Sequence, residues 1–286
     1  MECAANLRQR VADLAARLAA AGIEGARAEA WLLLAAATGR TRADLVAGNQ
    51  GQLRPEEDAR LARLAARRLA REPMAYILGE REFWSLPLQV SPAVLVPRPE
   101  SESVVEAALG EIPDREAPVR ILDLGTGSGC LLLALLFELP RASGLGIDRS
   151  AAALDVAKGN ALRLGLADRA AFGEGDWGRG PAGPFDLIVS NPPYVARTDA
   201  ASLEPEVLAF EPEQALFAGD DGLEAYRALL PDCARLLAED GVICLEIGQG
   251  QGPTVTLLAQ RCGLCLVGSR ADLAGIERCL ILRPAD

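Results

Sequence analysis

The apolar positions of this chain change their period twice. Over roughly the first seventy residues they recur at helical spacing, with Leu7, Val11, Leu14 and Leu18 on one face. A second apolar helix is predicted from Ala28 to Thr38, ended by Gly39, and Thr41-Arg42-Ala43-Asp44 suits the cap of a short third one. Pro55 opens a further helix through Arg71 with Leu61, Leu64, Ala65 and Leu69 on its buried side. Arg60, Arg63, Arg67, Arg68 and Arg71 lie on or beside its other faces and read as a solvated surface, the alternative being a docking surface. From Pro73 to Pro99 the pattern shortens to β-like pieces such as Leu86-Pro87-Leu88-Gln89-Val90, as in a small hairpin or connector. Beyond it, strand-length apolar runs near 119–123, 144–148, 170–174, 185–190 and 241–247 alternate with helical patterns near 128–138, 151–164, 222–239 and 253–262. That alternation predicts an α/β fold with a doubly wound, mostly parallel sheet. Segments 264–270 and 277–283 fit antiparallel edge strands, which brings the sheet to seven. The expected parts are a helical domain over 1–72, a β connector over 73–99 and the α/β domain over 100–286.

Charge separates these parts. The net charge of −11 divides into +3 over residues 1–72 and −14 over the remainder. An acidic α/β half argues against phosphate-driven binding of nucleic acid, while the mildly basic helical part can face a partner of opposite charge. Hydrophobic residues make up 50% of the chain, yet no uninterrupted apolar stretch is long enough to span a bilayer. Met1 to Arg10 is charged and lacks an apolar signal core, so no secretory signal is expected. Arg8, Arg10 and Arg17 lie on an Ala-rich pattern of the organelle-targeting kind, but Glu2 and Asp13 interrupt it.

Cysteines 3, 130, 233, 244, 262, 265 and 279 sit mostly in apolar runs, as buried free thiols do, which fits a reducing cytoplasm. Cys262-x-x-Cys265 has no second pair, and the chain contains no histidine, so no metal site is expected. The same absence removes Ser-His-Asp, Cys-His and other His-based acid–base catalysis. Chemistry must run on carboxylates, amides, backbone groups or a cofactor.

Two turns carry that chemistry. Ser190-Asn191-Pro192-Pro193-Tyr194 follows the apolar run Phe185 to Val189, at the carboxyl end of a buried strand, where open α/β sheets bind ligands. The prolines fix φ and remove two N–H donors, so their carbonyls and the Asn191 amide can face a guest. Such acceptors beside an aromatic ring suit a planar NH2 group; the alternative is a stiff surface turn. The tetrapeptide resembles the signature of methyltransferases that modify amide or base nitrogens.

The second turn is Asp123-Leu124-Gly125-Thr126-Gly127-Ser128-Gly129, running from a strand into a helix. Glycines permit close backbone approach, and the helix start favours an anionic group. A dinucleotide fingerprint needs glycine at 130, where the chain has Cys130. The stretch instead resembles the S-adenosylmethionine loop of Rossmann-like methyltransferases, with Gly125, Thr126 and Gly127 against the cofactor. Asp148 ends the second strand, placed to accept both ribose hydroxyls. Asp176 and Trp177 follow the third, where the first can accept from the adenine amine and the second offers an apolar face.

Over almost its full length the chain resembles the bacterial release factor glutamine N5-methyltransferases, the HemK or PrmC family. The matching segments are Pro73 to Gly79, Glu82-Phe83-Trp84, Val96 to Glu102, Ser190 to Tyr194, Glu211 to Leu216 and Leu245-Glu246-Ile247-Gly248. Relatives that methylate a ribosomal-protein glutamine typically carry Ser-Pro where this chain has Pro99-Glu100. Ser101 stands where threonine is usual, and Glu277 where aspartate is. The resemblance implies a Rossmann-like methyltransferase domain, preceded by a helical domain that helps hold the release factor.

The same resemblance implies S-adenosylmethionine as methyl donor, S-adenosylhomocysteine as product, no metal, and the Gly-Gly-Gln glutamine as acceptor. In that mechanism the Asn191 oxygen and Pro192 carbonyl accept from the substrate NH2, with Pro193 and Tyr194 completing the substrate site. Asn191 also borders the cofactor, and Tyr194 helps exclude water. Arg98, Glu100 and Glu246 either shape the pocket or anchor local structure. Rival readings are methylation of a ribosomal protein, adenine N6-methylation of nucleic acid, a cofactor-sensing module without turnover, and a nicotinamide dehydrogenase.

Overall fold

A computed structural model describes residues 7–47 and 52–285, so Glu2, Cys3 and the start of the chain lie outside the described residues. Contacts divide the chain into two compact units: 1–79 with 204–210, and 80–203 with 211–286.

The first unit contains α1 (Leu7–Ala20), α2 (Ala26–Thr38), α3 (Arg42–Ala47), α4 (Pro55–Leu69) and α5 (Met74–Leu78). The helical stripe Leu7, Val11, Leu14 and Leu18 is buried against Trp31, Leu33 and Leu34 of α2 and Leu61 and Ala65 of α4. Gly39 takes a left-handed φ of 68° and closes α2 with an N–H bond to Ala35 O. Thr41 and Asp44 cap α3 reciprocally, the Asp44 N–H donating to Thr41 Oγ1 and the Thr41 N–H to Asp44 Oδ2. Glu57 accepts from the Arg54 N–H at 2.8 Å, and this bond, helped by Arg54 and Arg40, lowers its carboxyl to about 2. Met74–Leu78 is helical where short β-like pieces were expected.

The second unit opens with the hairpin β1 (Glu80–Phe83) and β2 (Leu86–Gln89), whose Trp84-Ser85 turn has positive φ at both residues. Such a turn usually takes Asn or Gly, so the chain carries no local signal for it. Asn160 ties the hairpin to the α/β body. It accepts from the Gln89 N–H at 2.7 Å and donates to Gln89 O and Ser128 O.

The body follows with α6 (Glu102–Gly110), β3 (Arg120–Leu124), α7 (Cys130–Glu138), β4 (Ser143–Asp148), α8 (Ala151–Arg163), β5 (Ala170–Glu174) and β6 (Phe185–Ser190). The helix α9 (Pro205–Phe210) belongs to the first unit, where Glu206 pairs with Arg68 at 3.1 Å and Arg71 at 2.9 Å. Arg68 also binds Glu29 at 2.7 Å and is buried, so it is an internal ion-pair centre and not part of a solvated face. The chain closes with α10 (Glu224–Leu236), β7 (Leu237–Glu246), α11 (Gly252–Arg261), β8 (Leu264–Ala271) and β9 (Glu277–Pro284).

The seven strands lie in the order β5-β4-β3-β6-β7-β9-β8. The first five are mutually parallel, and β9 runs antiparallel to both β7 and β8. Of the last two strands only β8 is an edge; β9 is inserted between it and β7, contrary to the expectation that both would be edge strands.

Alternation along the central strands feeds two cores. Ile121, Leu187 and Val189 pack with Val104 and Val105 of α6 and with α7, while Leu122, Leu124 and Ile188 pack with Tyr226 and Leu229 of α10 and Val255 of α11. Chain order reverses between β3 and β6, so their carboxyl ends form the switch point where a crevice opens. Among the described residues no helix is long and apolar enough to cross a membrane.

Candidate active site

Both turns singled out in the sequence end strands that flank this switch point. Gly125, Gly127 and Gly129 all take left-handed φ, between 55° and 81°, which explains glycine at each. The loop is hooked onto the end of β4, where the N–H groups of Gly125 and Thr126 both donate to Ile147 O, at 2.8 and 3.0 Å. Asp148 braces it from the same strand. Its Oδ2 accepts from Gly127 N–H and its Oδ1 from Ser150 N–H, each at 2.9 Å.

A cavity of about 600 Å³ opens above this loop. Gly125, Thr126, Gly127, Asp148, Asp176, Trp177, Asn191 and Pro193 all line it, although they come from four different strand ends. Trp177 holds a left-handed φ of 54°, uncommon for an aromatic residue, and its ring lies 3.6 Å from where a Cβ on Gly125 would stand. Asp176 is largely exposed and pairs loosely with Arg179 at 3.5 Å.

Pro192 and Tyr194 are not among the lining residues. Pro192 is buried, and the Tyr194 hydroxyl donates to Glu246 Oε1 at 3.3 Å while its carbonyl accepts from Gln251 Nε2 at 3.1 Å. Burial and the Glu246 charge push the Tyr194 phenol above its ordinary range. Ser190 anchors the start of the turn by donating to Leu124 O at 2.6 Å, and Asn191 donates through Nδ2 to Ser101 Oγ at 2.8 Å.

The three residues whose roles were open separate in the structure. Arg98 donates to Glu211 Oε1 at 2.6 Å, and Glu211 also accepts from Val96 N–H, so Arg98 anchors the segment before α6. The Glu100 carbonyl accepts from Ser103 Oγ at 2.7 Å. Glu246 is fully buried at the end of β7, and none of the three lines the cavity.

Sequence reasoning passed over Asp123 as a site residue. It lines the cavity, is 1% exposed, and accepts from Thr126 Oγ1 at 2.6 Å through Oδ2, while Oδ1 has no protein partner. Burial, opposed by Thr126 and aided by Asp148, pushes its carboxyl up to about 7. The available signal was an acid interrupting the apolar strand Ile121-Leu122-Asp123-Leu124. Ala93 to Leu95 and Glu213 to Ala215 also contribute wall and carry no comparable pattern. Among the described residues no group of three or more metal-ligating side chains is assembled.

The cavity therefore presents backbone donors, an apolar indole face and carboxylates at 123, 148 and 176. That donor set fits a ligand carrying hydroxyls, an aromatic ring and positive charge. S-adenosylmethionine has all three, and the unpaired Asp123 Oδ1 is a buried acceptor that such a ligand can satisfy.

Comparison with known proteins agrees. Residues 9–79 match the family model described as the PrmC N-terminal domain, and residues 116–244 match a methyltransferase domain. The chain is 48% identical over 267 residues to the release factor glutamine methyltransferase of Rhodospirillum rubrum, covering 93% of this chain and 82% of that one. It is 47% identical over 273 residues to the protein of the same name from Bradyrhizobium diazoefficiens, covering 94% and 92%. Among solved structures, the hMettl16 catalytic domain, in complex with MAT2A 3'UTR hairpin 6, shares the fold with a TM-score of 0.56. It is 17% identical, and the match covers 78% of this chain and 82% of that one. With a Rossmann-like sheet, a glycine loop and an Asn-Pro-Pro-Tyr turn at one switch point, and with these relatives, the chain belongs to the release factor glutamine methyltransferase family.

Proposed function

We propose that this protein transfers a methyl group from S-adenosylmethionine to the side-chain amide nitrogen, N5, of the glutamine in the Gly-Gly-Gln motif of peptide chain release factors. The observation that carries the reading is the state of Asn191 at the cavity wall. Its Nδ2 is engaged by Ser101, and among the described residues no donor engages its Oδ1 or the Pro192 carbonyl. Two acceptors at adjacent positions match the two N–H bonds of a primary amide. The names carried by the relatives point to the same substrate.

An amide nitrogen is a weak nucleophile because its lone pair is delocalised into the carbonyl. S-adenosylmethionine, when bound, supplies a methyl already activated on a sulfonium. The residues of this chain therefore act by orientation. Asn191 Oδ1 and the Pro192 carbonyl take the two N–H bonds and turn the nitrogen towards the methyl. The same acceptors stabilise positive charge developing on that nitrogen. Tyr194, held by Glu246 and Gln251, and Pro193 exclude water beside it. Asp148 orders the ribose hydroxyls, Trp177 covers the adenine, and Asp123 meets the cationic end of the donor. No histidine is needed, since the N-methylated amide loses its proton to solvent. The helical unit contributes to binding the release factor, and the reaction takes place in the cytoplasm.

The direct test is transfer of labelled methyl to a release factor and to a variant whose Gly-Gly-Gln glutamine is alanine. Label on the first alone is expected. Label on both, or on nucleic acid, refutes the assignment. Asn191→Ala is expected to lower turnover by about 100-fold or more, and near-normal turnover would end this account of catalysis.

A further inference from the structure

An asparagine amide is ambiguous. Rotation by half a turn about its last bond exchanges acceptor and donor with almost no change of shape. In the proposed reaction only one orientation works, because the other sets an NH2 of the enzyme against the NH2 of the substrate. Something must therefore select the orientation of Asn191.

The selecting groups stand on the side of Asn191 away from the cavity. Ser101, 1% exposed at the start of α6, accepts from Asn191 Nδ2 at 2.8 Å. The Ser101 hydroxyl lies beside the Glu246 carboxyl and favours its charged form. Glu246 is fully buried; its Oε1 takes the Tyr194 hydroxyl, and among the described residues its Oε2 has no hydrogen-bond partner. A carboxylate can only accept, so its unmet demand draws the Ser101 proton. The serine oxygen is then left with lone pairs alone, and the only Asn191 group that can approach it is the NH2. Polarity runs one way along this chain of three residues.

We propose that Ser101 and Glu246 are positioning residues that lock the Asn191 amide with its oxygen towards the substrate nitrogen. The proposal rests on the reading that Asn191 accepts from the substrate amide. Neither residue lines the cavity, so both act through Asn191.

Protonation offers a test that a purely structural role does not predict. Burial pushes the Glu246 carboxyl up to about 7, against the pull of Ser101, Tyr194 and Arg278. Around it stand Tyr194, Tyr226, Arg278, Glu100, Cys130 and Cys279. The phenols and thiols are pushed well above neutrality by burial, and the Arg278 pKa is raised, keeping it charged. A protonated Glu246 can donate to Ser101. The serine proton is then free to turn to Asn191 and stabilise the wrong amide orientation. Burial likewise pushes the Asp123 carboxyl up to about 7, but Asp123 is common to wild type and variants, so its effect cancels in their comparison.

The experiment measures single-turnover methyl transfer to a release factor between pH 6 and 8.5, together with S-adenosylmethionine affinity, for wild type, Ser101→Ala, Ser101→Thr and Glu246→Gln. Ser101→Ala is expected to lose about 10- to 100-fold in rate with cofactor Kd changed less than about threefold, and Ser101→Thr to recover most of the rate. The wild-type rate is expected to fall as pH drops through about 7, more steeply than that of Glu246→Gln. A Ser101→Ala rate within about twofold of wild type, no recovery in Ser101→Thr, or unaltered pH dependence in Glu246→Gln overturns the proposal. If Asn191→Ala is crippled while Ser101→Ala is not, the lock alone fails; if Asn191→Ala is active, the underlying reading fails.

Discussion

Replacing Asp148 by asparagine changes one atom and should separate the two duties of this side chain. In the structure each carboxylate oxygen already holds one backbone N–H, Gly127 on Oδ2 and Ser150 on Oδ1, both at 2.9 Å. A carboxylate offers about four acceptor directions, so about two remain, and the proposed function gives these to the ribose hydroxyls of the cofactor. Asparagine keeps the shape but loses the charge and turns one oxygen into a donor. If that NH2 faces Gly127 or Ser150, two donors meet and the loop is pushed away from its place on β4. If the loop stays, one ribose hydroxyl loses its acceptor.

Hydrogen bonds to a charged group contribute about 1.5–3 kcal/mol each. Losing one such bond and weakening a second gives about 2–4 kcal/mol, or about 30- to 1,000-fold in S-adenosylmethionine Kd. Isothermal titration of the full chain measures this directly. Thermal melting without cofactor checks the other duty, where a shift of only a few degrees is expected because the Ile147 anchor of the loop is untouched. A Kd within about threefold of wild type would refute the role assigned to Asp148. An unchanged Kd with a large loss of stability would make it a loop brace alone.

Arg68→Met in the first unit should lower stability by about 3 kcal/mol, since it strands Glu29 and leaves Glu206 with Arg71 only. Urea unfolding checks this, and a loss under about 1 kcal/mol contradicts the ion-pair account. Glu57 has its folded pKa lowered to about 2, below the unfolded value of about 4.3, so its contribution is present above about pH 4.3 and lost as pH falls towards 2. Glu57→Gln should therefore flatten the fall of melting temperature across that window, and an unchanged slope would count against it. Cys130 lines the cavity, yet burial pushes its thiol up to about 12. Iodoacetamide at pH 8 should leave it unmodified in the native chain and modify it after unfolding, as peptide mass mapping will report; rapid native labelling would contradict the assignment.

What could be read ahead of the structure follows from how locally each feature is encoded. Central strands packed on both faces are mostly apolar, so Ile121 to Leu124 and Phe185 to Val189 announce themselves even with Asp123 and Asp186 among them. The two turns are legible because glycine and proline act on their own backbone: Gly125, Gly127 and Gly129 occupy left-handed φ that other residues rarely take. Features that depend on a distant partner leave no such mark. Arg68 looks like its solvated neighbours on α4 until Glu29 and Glu206, 39 and 138 positions away, are brought to it. The insertion of β9 between β7 and β8 is invisible because periodicity reports that a strand exists and not where it pairs. At the site the same division holds. Asn191 is conspicuous, whereas Ser101, 90 positions earlier, is an ordinary serine whose importance lies in what it faces. The chain thus declares the turns that line the cavity, while the contact between Asn191 and Ser101 emerges only once the sheet has closed the distance between β6 and the start of α6.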